Sequence, residues 1–312
     1  MFERSDSVAL NARRNAPLVG IAYLCVGVLL FVIGDALSKS LVATYSVPQI
    51  AFVKSMAALI VLAPWIVRSS TRARLKTRRP WMHVMRTTFG LAEMACFLLA
   101  LKTIPLADAT AIYYAAPLIA TALSVVILRE HVSVQRWGAV AVGFVGMLII
   151  IQPEASIGWG LGTFYITVGM ALYAALMIVN RVMGATETAT SMVLYAVISE
   201  TVVMGALSPF FWTPMSLFDT LHMAALGLVI TLGIFAFTRA YMLAPVATVA
   251  PFDYTALVWA VLFGFVFWGE LPVVDVWLGA ALILVCGLYV LYREHIEGVI
   301  EHDKGRPFDH HE

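Results

Sequence analysis

Ten long apolar segments constrain this chain more than any other feature of its sequence. An α-helix rises about 1.5 Å per residue, so about 20 apolar residues are needed to cross the hydrocarbon core of a bilayer. The segments are Pro17–Leu41, Pro48–Val67, Val84–Leu101, Leu106–Leu128, Trp137–Ile151, Trp159–Val179, Ser191–Phe211, Leu221–Met242, Val246–Trp268 and Val273–Tyr292. The sequence therefore predicts an all-α integral membrane protein with ten transmembrane helices joined by short connections.

The composition supports the same fold class. Charged residues make up 12% of the 312 residues, and apolar residues make up 61%. A soluble domain carries about 25% charged residues, so most of this surface must face lipid. The formal net charge of +1 provides no basic field for a nucleic acid. We expect the lipid bilayer, and no nucleic acid, as a partner.

Basic residues fall on one side of the predicted helices. The connection at residues 68–79 holds six of them, whereas the connections 152–158 and 208–222 hold none. Four further arginines fall on the basic side, namely Arg129, Arg136, Arg181 and Arg293. Because basic loops stay in the cytoplasm, we expect a multi-pass protein of the bacterial inner membrane with both termini cytoplasmic.

The second half of the chain repeats the first, and the offset is constant at 140 residues through the fourth and fifth apolar segments. The matched pairs are Pro105 and Pro245, Tyr114 and Tyr254, Glu130 and Glu270, and Trp137 and Trp277. Five crossings per unit is an odd number, so the second unit enters the membrane from the opposite side. We predict two inverted five-helix repeats at residues 17–151 and 152–293, flanked by cytoplasmic segments at 1–16 and 294–312, the latter polar and partly disordered.

The repeated residues also form a recognisable pattern. It runs Leu101-Lys-x-x-Pro-Leu-Ala-x-Ala, Pro117, Arg129-Glu130, Trp137-Gly138, and again Ala240-Tyr-x-x-Ala-Pro-Val-Ala, Pro251, Tyr254, Gly269-Glu270, Trp277. This pattern resembles the EamA unit of the drug/metabolite transporter superfamily. The resemblance implies a ten-helix carrier of small polar metabolites. The runs around Pro251 and Phe267 are similar to members that take up S-adenosylmethionine, whereas other members export amino acids.

Polar residues inside the apolar segments are candidates for binding a substrate. A charge at the centre of a membrane helix costs at least about 2.5 kcal/mol, so it should face protein or water. Aromatic rings offer contact area and attract cations. The candidate substrate-binding residues are Glu93, Phe97, Tyr113, Tyr114, Tyr173, Asp253, Tyr254 and Trp259. The alternative for each is ordinary packing, with Glu93 hydrogen-bonded permanently to another helix.

A second group of residues is suited to gating. Asp35 and Lys39 share a helix face, and Lys54 could join them at the outer end. They form either a pair that neutralises charge or a gate. Arg239 and Asp253 could form the opposed inner pair. Pro117 and Pro251, which interrupt helices, are candidate hinges. Members of the superfamily often have arginine at the position of Lys54; lysine keeps the charge but lacks the planar fork that makes bidentate contacts with a carboxylate.

The remaining features favour structural roles. We interpret Glu200 as a packing residue and Glu130 and Glu270 as helix caps at the interface. Asn180 and Ser38 are weaker polar candidates. The small residues Gly138, Gly143, Gly146 and Gly279 favour close helix packing.

Together these features favour a secondary carrier that works by alternating access. The favoured cargo is an amino acid moved outward, because the cavity would combine a carboxylate and aromatic rings with few cations. The alternative cargo is S-adenosylmethionine or a related nucleoside, and the alternative class is a membrane protein without transport activity. No HExxH, GxSxG or phosphate-loop motif is present, so we expect no enzyme activity, no cofactor and no metal. A monomer and a homodimer are both compatible with the sequence.

Overall fold

The computed structural model describes residues 2–67, 77, 79–129, 132–151, 160–243 and 250–304, and this part of the chain is helical without strands. Its α-helices are α1 (Phe2–Val42), α2 (Val47–Val67), α3 (Pro80–Ala100), α4 (Leu106–Tyr113), α5 (Ala116–Ile127), α6 (Val134–Ile151), α7 (Leu161–Gly184), α8 (Ala189–Leu207), α9 (Leu217–Leu243), α10 (Thr255–Trp268) and α11 (Val274–Lys304). Two 3₁₀ helices, Ser208–Phe211 and Ala250–Tyr254, complete the described elements.

These helices account for all ten apolar segments. Within the described ranges, six spans are long and apolar enough to cross a membrane: Leu18–Val42, Val47–Pro64, Leu106–Ile127, Leu161–Gly184, Ser191–Phe211 and Leu217–Ala240. Three shorter apolar helices lie at Trp137–Ile151, Phe252–Trp268 and Val274–Val290. The remaining helix, α3, is continuous, but charged residues such as Arg86 and Glu93 interrupt its apolar sequence. The chain is a multi-pass membrane protein.

The two ends of the chain are more helical than we expected. Helix α1 begins at Phe2, and α11 continues to Lys304, well past the polar boundary at residue 294. Charged side chains do not prevent a helix from continuing once a long apolar stretch has formed its first turns, because each added residue gains one backbone hydrogen bond.

The fourth and ninth segments are broken at matching positions. Helices α4 and α5 are separated by Tyr114 and Ala115, and Pro117 follows in the first turn of α5. In the second half, the 3₁₀ helix that contains Pro251 ends at Tyr254, where α10 begins. Proline has no N–H, so a helix that includes it loses one backbone hydrogen bond at that turn. Broken helices inside a membrane occur where protein or a cavity satisfies the freed backbone groups.

A left-handed residue follows each of these broken segments. Arg129, after α5, has φ +57°, and Gly269, after α10, has φ +68°. A positive φ is uncommon for a residue other than glycine. The two positions are 140 residues apart, which is the offset of the predicted repeat, and both adopt the same unusual backbone conformation.

Helix contacts cross between the two halves of the chain. Helix α1 packs against α9 and α10, α3 packs against α7, α2 packs against α8 and α9, and α6 packs against α11. Small residues allow these approaches, since a Cβ at Gly27 would lie 3.2 Å from the Gly233 carbonyl oxygen and one at Gly146 would lie 2.9 Å from that of Gly279. The close-packing interpretation thus fits Gly143, Gly146 and Gly279, but Gly138 has no neighbour within 4 Å.

Candidate substrate cavity

A small cavity lies between α1, α2, α3 and α9. Its volume is about 140 Å³, and its apolar wall includes Ile50, Leu226 and Ile230. Its polar and ionisable lining residues are Asp35, Ser38, Lys54 and Glu93. Two carboxylates and one ammonium therefore converge on one space inside a helical bundle, which is where bundle proteins build their ligand sites.

The two cavity carboxylates differ in their partners. The Tyr113 hydroxyl donates a short hydrogen bond to Glu93 Oε1. Asp35 makes no hydrogen bond within the described part of the chain, but it interacts electrostatically with Glu93 and Lys54. Glu93 is therefore held in position by the protein, whereas Asp35 has its full hydrogen-bonding capacity available to a ligand.

The ammonium of Lys54 reaches the cavity from α2. Its Nζ lies 2.7 Å from Glu200 Oε1 on α8 and 3.4 Å from the sulfur of Met94 on α3. Both charged side chains are largely buried, with 18% and 16% of their areas exposed. Glu200 is therefore the counter-ion of Lys54, which sequence analysis missed because no spacing rule relates α2 to α8.

An aromatic cluster borders Glu93. The Tyr113 ring lies edge-on to Phe97 with centroids 4.9 Å apart, and it stacks on Tyr173 at 5.4 Å. The structure thus brings together four of the predicted substrate-binding residues, on α3, α4 and α7. Of these four, Glu93 and Phe97 line the cavity itself.

The matched tyrosines of the two halves meet at the helix breaks. The rings of Tyr114 and Tyr254 lie 5.0 Å apart, and the Tyr114 hydroxyl donates a 2.7 Å hydrogen bond to the Asp253 carbonyl oxygen. The bond satisfies a backbone oxygen of the 3₁₀ helix. Tyr114, Tyr254 and Asp253 are absent from the lining of the cavity, and so is Trp259, whose ring stacks on Phe263 at 6.3 Å.

Lys39 belongs to a different cluster from the one we expected. Its Nζ donates to both carboxylate oxygens of Glu270, at 2.5 and 2.6 Å, and to the Ile104 carbonyl oxygen at 3.3 Å. Glu270 also accepts a 3.1 Å bond from the Leu106 N–H at the start of α4. The predicted grouping of Asp35, Lys39 and Lys54 is therefore wrong, since Lys39 turns toward α10 and leaves the other two at the cavity.

The expected inner pair is also wrong. Arg239 lies on the exposed face of α9, with its guanidinium 5.7 Å from the centre of the Phe235 ring. No ion pair to Asp253 forms among the described residues. The two side chains sit on consecutive segments, but the rotation of α9 directs Arg239 away from the bundle.

A separate polar network joins α3, α7 and α8 at the opposite end of the bundle. The Arg86 Nε donates to Asn180 Oδ1 at 2.6 Å, and its guanidinium also bonds the Met192 carbonyl oxygen. His83 Nε2 lies 3.7 Å from Glu187 Oε2, with both side chains nearly fully buried. Asn180 thus acts as a hydrogen-bond partner of Arg86.

Glu130 and most of residues 68–78 lie outside the described residues.

No metal site is formed by the described residues, among which no three His, Cys, Asp or Glu side chains cluster closely enough to hold an ion. The cavity instead offers carboxylates, one ammonium and aromatic rings, which is the chemistry that binds small organic ions.

Comparison with known proteins shows which family the first half of the chain resembles. The model of the EamA-like transporter family matches residues 18–152. The chain carries an EamA-like transporter domain. A crystal structure of a protein aligns with a TM-score of 0.55 at 16% identity, over 89% of this chain and 97% of the other, which is a likeness of fold alone.

Curated relatives that match most of this chain are named as transporters. The S-adenosylmethionine uptake transporter of Rickettsia prowazekii is 27% identical over 285 residues, covering 91% of this chain and 96% of the relative. That of Rickettsia bellii is 28% identical over 88% of this chain and 94% of the relative. The riboflavin transporter of Vibrio cholerae is 27% identical over 89% and 94%.

These comparisons confirm the predicted family resemblance. They also support the conclusion that this chain is a membrane transporter of small metabolites. They do not support the favoured expectation of amino-acid export, because the relatives named here transport S-adenosylmethionine or riboflavin.

Proposed function

We propose that this protein takes up S-adenosylmethionine, or a closely similar cationic nucleoside, across the bacterial inner membrane. The observation that carries the proposal is the charge of the cavity, where Asp35 and Glu93 converge and Lys54 is the one cationic lining residue. The similarity to the two S-adenosylmethionine uptake transporters supports the same cargo.

The charges of the substrate complement those of the cavity. S-adenosylmethionine carries a sulfonium, an ammonium and a carboxylate, so its net charge is positive. Asp35 has a carboxylate available for the ammonium, and the rings of Phe97 and Tyr113 beside Glu93 suit a sulfonium. Riboflavin is uncharged and would leave the two carboxylates without a counter-ion, which is costly in a buried site.

The carrier works by alternating access between two inverted units. Support comes from the contacts, because α1 packs on α9 as α7 packs on α3, and these pairs are related by the proposed repeat. The matching helix breaks and the matching left-handed residues, Arg129 and Gly269, support it independently. Inverted repeats with discontinuous helices near the substrate site are typical of secondary transporters.

The cavity must widen during transport. Its volume of about 140 Å³ is below the roughly 300–1,000 Å³ of typical small-molecule sites. A nucleoside enters when α9, which contributes Leu226 and Ile230, separates from α2 and α3. The basic residues of the connections support a cytoplasmic position for both termini, because basic loops stay on that side of the membrane.

Counterflow in proteoliposomes tests the proposal. The purified protein is reconstituted with unlabelled S-adenosylmethionine inside, and entry of labelled S-adenosylmethionine is followed. We expect accumulation that unlabelled S-adenosylmethionine suppresses and that riboflavin or an amino-acid mixture does not. Asp35→Asn and Glu93→Gln each reduce the initial rate at least about 10-fold, since each loses a charged contact. Asp219→Asn, outside the cavity, serves as the matched control.

The result also decides between the competing cargoes. If the protein exchanges riboflavin but not S-adenosylmethionine, its cargo is that of the riboflavin transporters. Exchange of amino acids alone would restore the cargo favoured by the sequence. Equal loss of activity in Asp219→Asn and Glu93→Gln would show that the cavity carboxylates are not special, and would overturn the proposed binding site.

A further inference from the structure

The ion pair of Lys54 is close but poorly aligned. Nζ lies 2.7 Å from Glu200 Oε1, yet that oxygen is buried and receives no hydrogen bond of acceptable geometry from the described residues. A good ion pair combines short distance with aligned N–H···O bonds. The attraction between Lys54 and Glu200 is therefore mainly that of two charges, without the directional component that would fix the pair.

Lys54 also has unused hydrogen-bonding capacity. An ammonium has three N–H donors. Within the described part of the chain, its one hydrogen-bond acceptor is the sulfur of Met94 at 3.4 Å, and thioether sulfur is a weak acceptor. Because Lys54 lines the cavity while Glu200 lies behind it on α8, the free donors are accessible to a ligand.

The negative charge around this lysine exceeds its own. Asp35, Glu93 and Glu200 surround a single ammonium. Glu93 has the Tyr113 hydroxyl as its donor, and Asp35 has no donor among the described residues. A ligand with one carboxylate and two positive groups would supply Lys54 with an aligned acceptor and the carboxylates with counter-ions.

We propose that Lys54 recognises the carboxylate of the substrate, and that Glu200 competes with this carboxylate for the lysine. The proposal rests on the proposed function and deepens it, because it makes an α-amino-acid group a requirement for cargo. In the empty carrier, Glu200 holds Lys54. In the loaded carrier, the substrate carboxylate accepts the N–H bonds of Lys54, and Glu200 is displaced or becomes a second, weaker partner.

The competition gives the two partners opposite effects on affinity. Lys54→Gln removes the contact and raises the KM for S-adenosylmethionine about 10- to 100-fold, the range expected for a lost hydrogen bond to a charged group. Glu200→Gln keeps the shape but weakens the competitor, so it lowers that KM several-fold. A purely structural ion pair would instead make both variants lose function together, because either one leaves a buried charge uncompensated.

A ligand series separates recognition from stability. Decarboxylated S-adenosylmethionine keeps the nucleoside, the sulfonium and the amine but lacks the carboxylate. Its displacement of labelled S-adenosylmethionine is measured on the full-length wild type, Lys54→Gln, Lys54→Arg and Glu200→Gln in detergent and in proteoliposomes. We expect the wild type to prefer S-adenosylmethionine at least 10-fold over the analogue, Lys54→Gln to lose this preference, Lys54→Arg to retain it, and Glu200→Gln to increase it.

Each other outcome counts against the proposal. Equal affinity of the wild type for both ligands would overturn recognition by Lys54 while leaving S-adenosylmethionine as cargo. A fall in affinity for both ligands in Glu200→Gln would show that the pair is structural. If the wild type binds neither ligand, the proposed function fails, and this inference fails with it. If Lys54→Gln does not fold, the ligand preferences of the wild type and of Glu200→Gln still test whether Lys54 recognises the carboxylate.

Discussion

Two lysines on consecutive helices, Lys39 on α1 and Lys54 on α2, illustrate two uses of a buried charge. Lys39 donates aligned bonds to both oxygens of Glu270, bonds the Ile104 carbonyl oxygen and lies 4.9 Å from the Trp268 ring centre. Among the described residues, Lys54 forms its one close ion pair with Glu200, which is misaligned, and it has a thioether neighbour in Met94. The first lysine is saturated with partners, whereas the second retains the capacity to bind something else.

The location of each pair explains the difference. The Lys39 pair connects α1 to Glu270, just beyond the C-terminal end of α10, and to the first N–H of α4, so it holds three elements together at one end of the bundle. The Lys54 pair stands at the wall of the cavity between α2 and α8. An ion pair that stabilises the fold is strongest when all its hydrogen bonds are formed. A binding site instead needs donors that are not already bonded to other groups of the protein.

The largest expected effect is on stability, from Lys39→Met. Removing the lysine leaves the carboxylate of Glu270 without its cation, and breaking a buried pair costs about 3–5 kcal/mol. Glu270 is 25% exposed, so we expect roughly 2–4 kcal/mol, measured by thermal unfolding of the detergent-solubilised protein. The exposed Lys102, changed to Met, is the control at the same end. A loss no larger than that of Lys102→Met would contradict the comparison.

The double variant Lys39→Met with Glu270→Met should be more stable than Lys39→Met alone. Replacing both members of a buried pair with apolar side chains avoids an uncompensated charge and is often neutral. We expect recovery of more than half of the loss in the same unfolding assay. If stability recovers but transport changes, the pair has a role in transport beyond its role in stability. If stability does not recover, Lys39 stabilises the protein through its contacts with Ile104 or Trp268.

A smaller effect is expected from Tyr113→Phe at the cavity. The variant keeps the stacked ring and removes the donor to Glu93, and a hydrogen bond to a charged group contributes about 1.5–3 kcal/mol. Tyr114→Phe is the matched change, since its hydroxyl bonds a neutral backbone oxygen and should be worth about 1 kcal/mol. Unfolding of the two variants measures the difference. A greater loss in Tyr114→Phe would argue against an ionised Glu93.

The smallest expected effect concerns Tyr45, in the turn between α1 and α2. Its hydroxyl donates a 2.7 Å bond to Asp219 Oδ2, and this bond, with some burial, raises the pKa of Tyr45 above its ordinary value. The protonated form is therefore the stabilising one. Its contribution is complete below a pH of about 10 and is lost as the pH rises through the raised pKa.

Thermal unfolding at pH 8 and at pH 11 checks this prediction. The wild type should lose slightly more stability between the two conditions than Tyr45→Phe, which has no proton to release. General effects of alkaline pH on lysines are shared by both proteins and cancel in the comparison. Identical losses would show that the bond to Asp219 does not contribute.

Much of the fold can be predicted from the sequence because the lipid bilayer acts as the solvent of this chain. In a bilayer every backbone polar group must be satisfied within the chain, so long apolar segments become helices. The breaks at Tyr114 and Tyr254 lie close to Pro117 and Pro251, which the sequence marks as interruptions of a helix. Glu93 was selected because a charge within such a segment is expensive, and the structure places it at the cavity.

The partners of the charged residues could not be predicted in the same way. Asp35 and Lys39 are four residues apart, which suggests a pair, yet Lys39 bonds Glu270 and Asp35 lines the cavity. Arg239 and Asp253 lie on consecutive segments, which also suggests a pair, yet Arg239 lies on the outer face of α9. Sequence spacing fixes which residues share a helix face, but it carries no information on which helix that face will meet.

The sequence by itself determined the helices, their breaks and the small set of buried charges, because these depend on the cost of exposing polar groups to lipid at each position along the chain. The tertiary structure alone decided that Lys39 is saturated by Glu270 and that Lys54 stands at a cavity with a weakly aligned Glu200. Those pairings arise from the rotation and packing of helices far apart in sequence, where contacts of many apolar side chains determine which charges become neighbours.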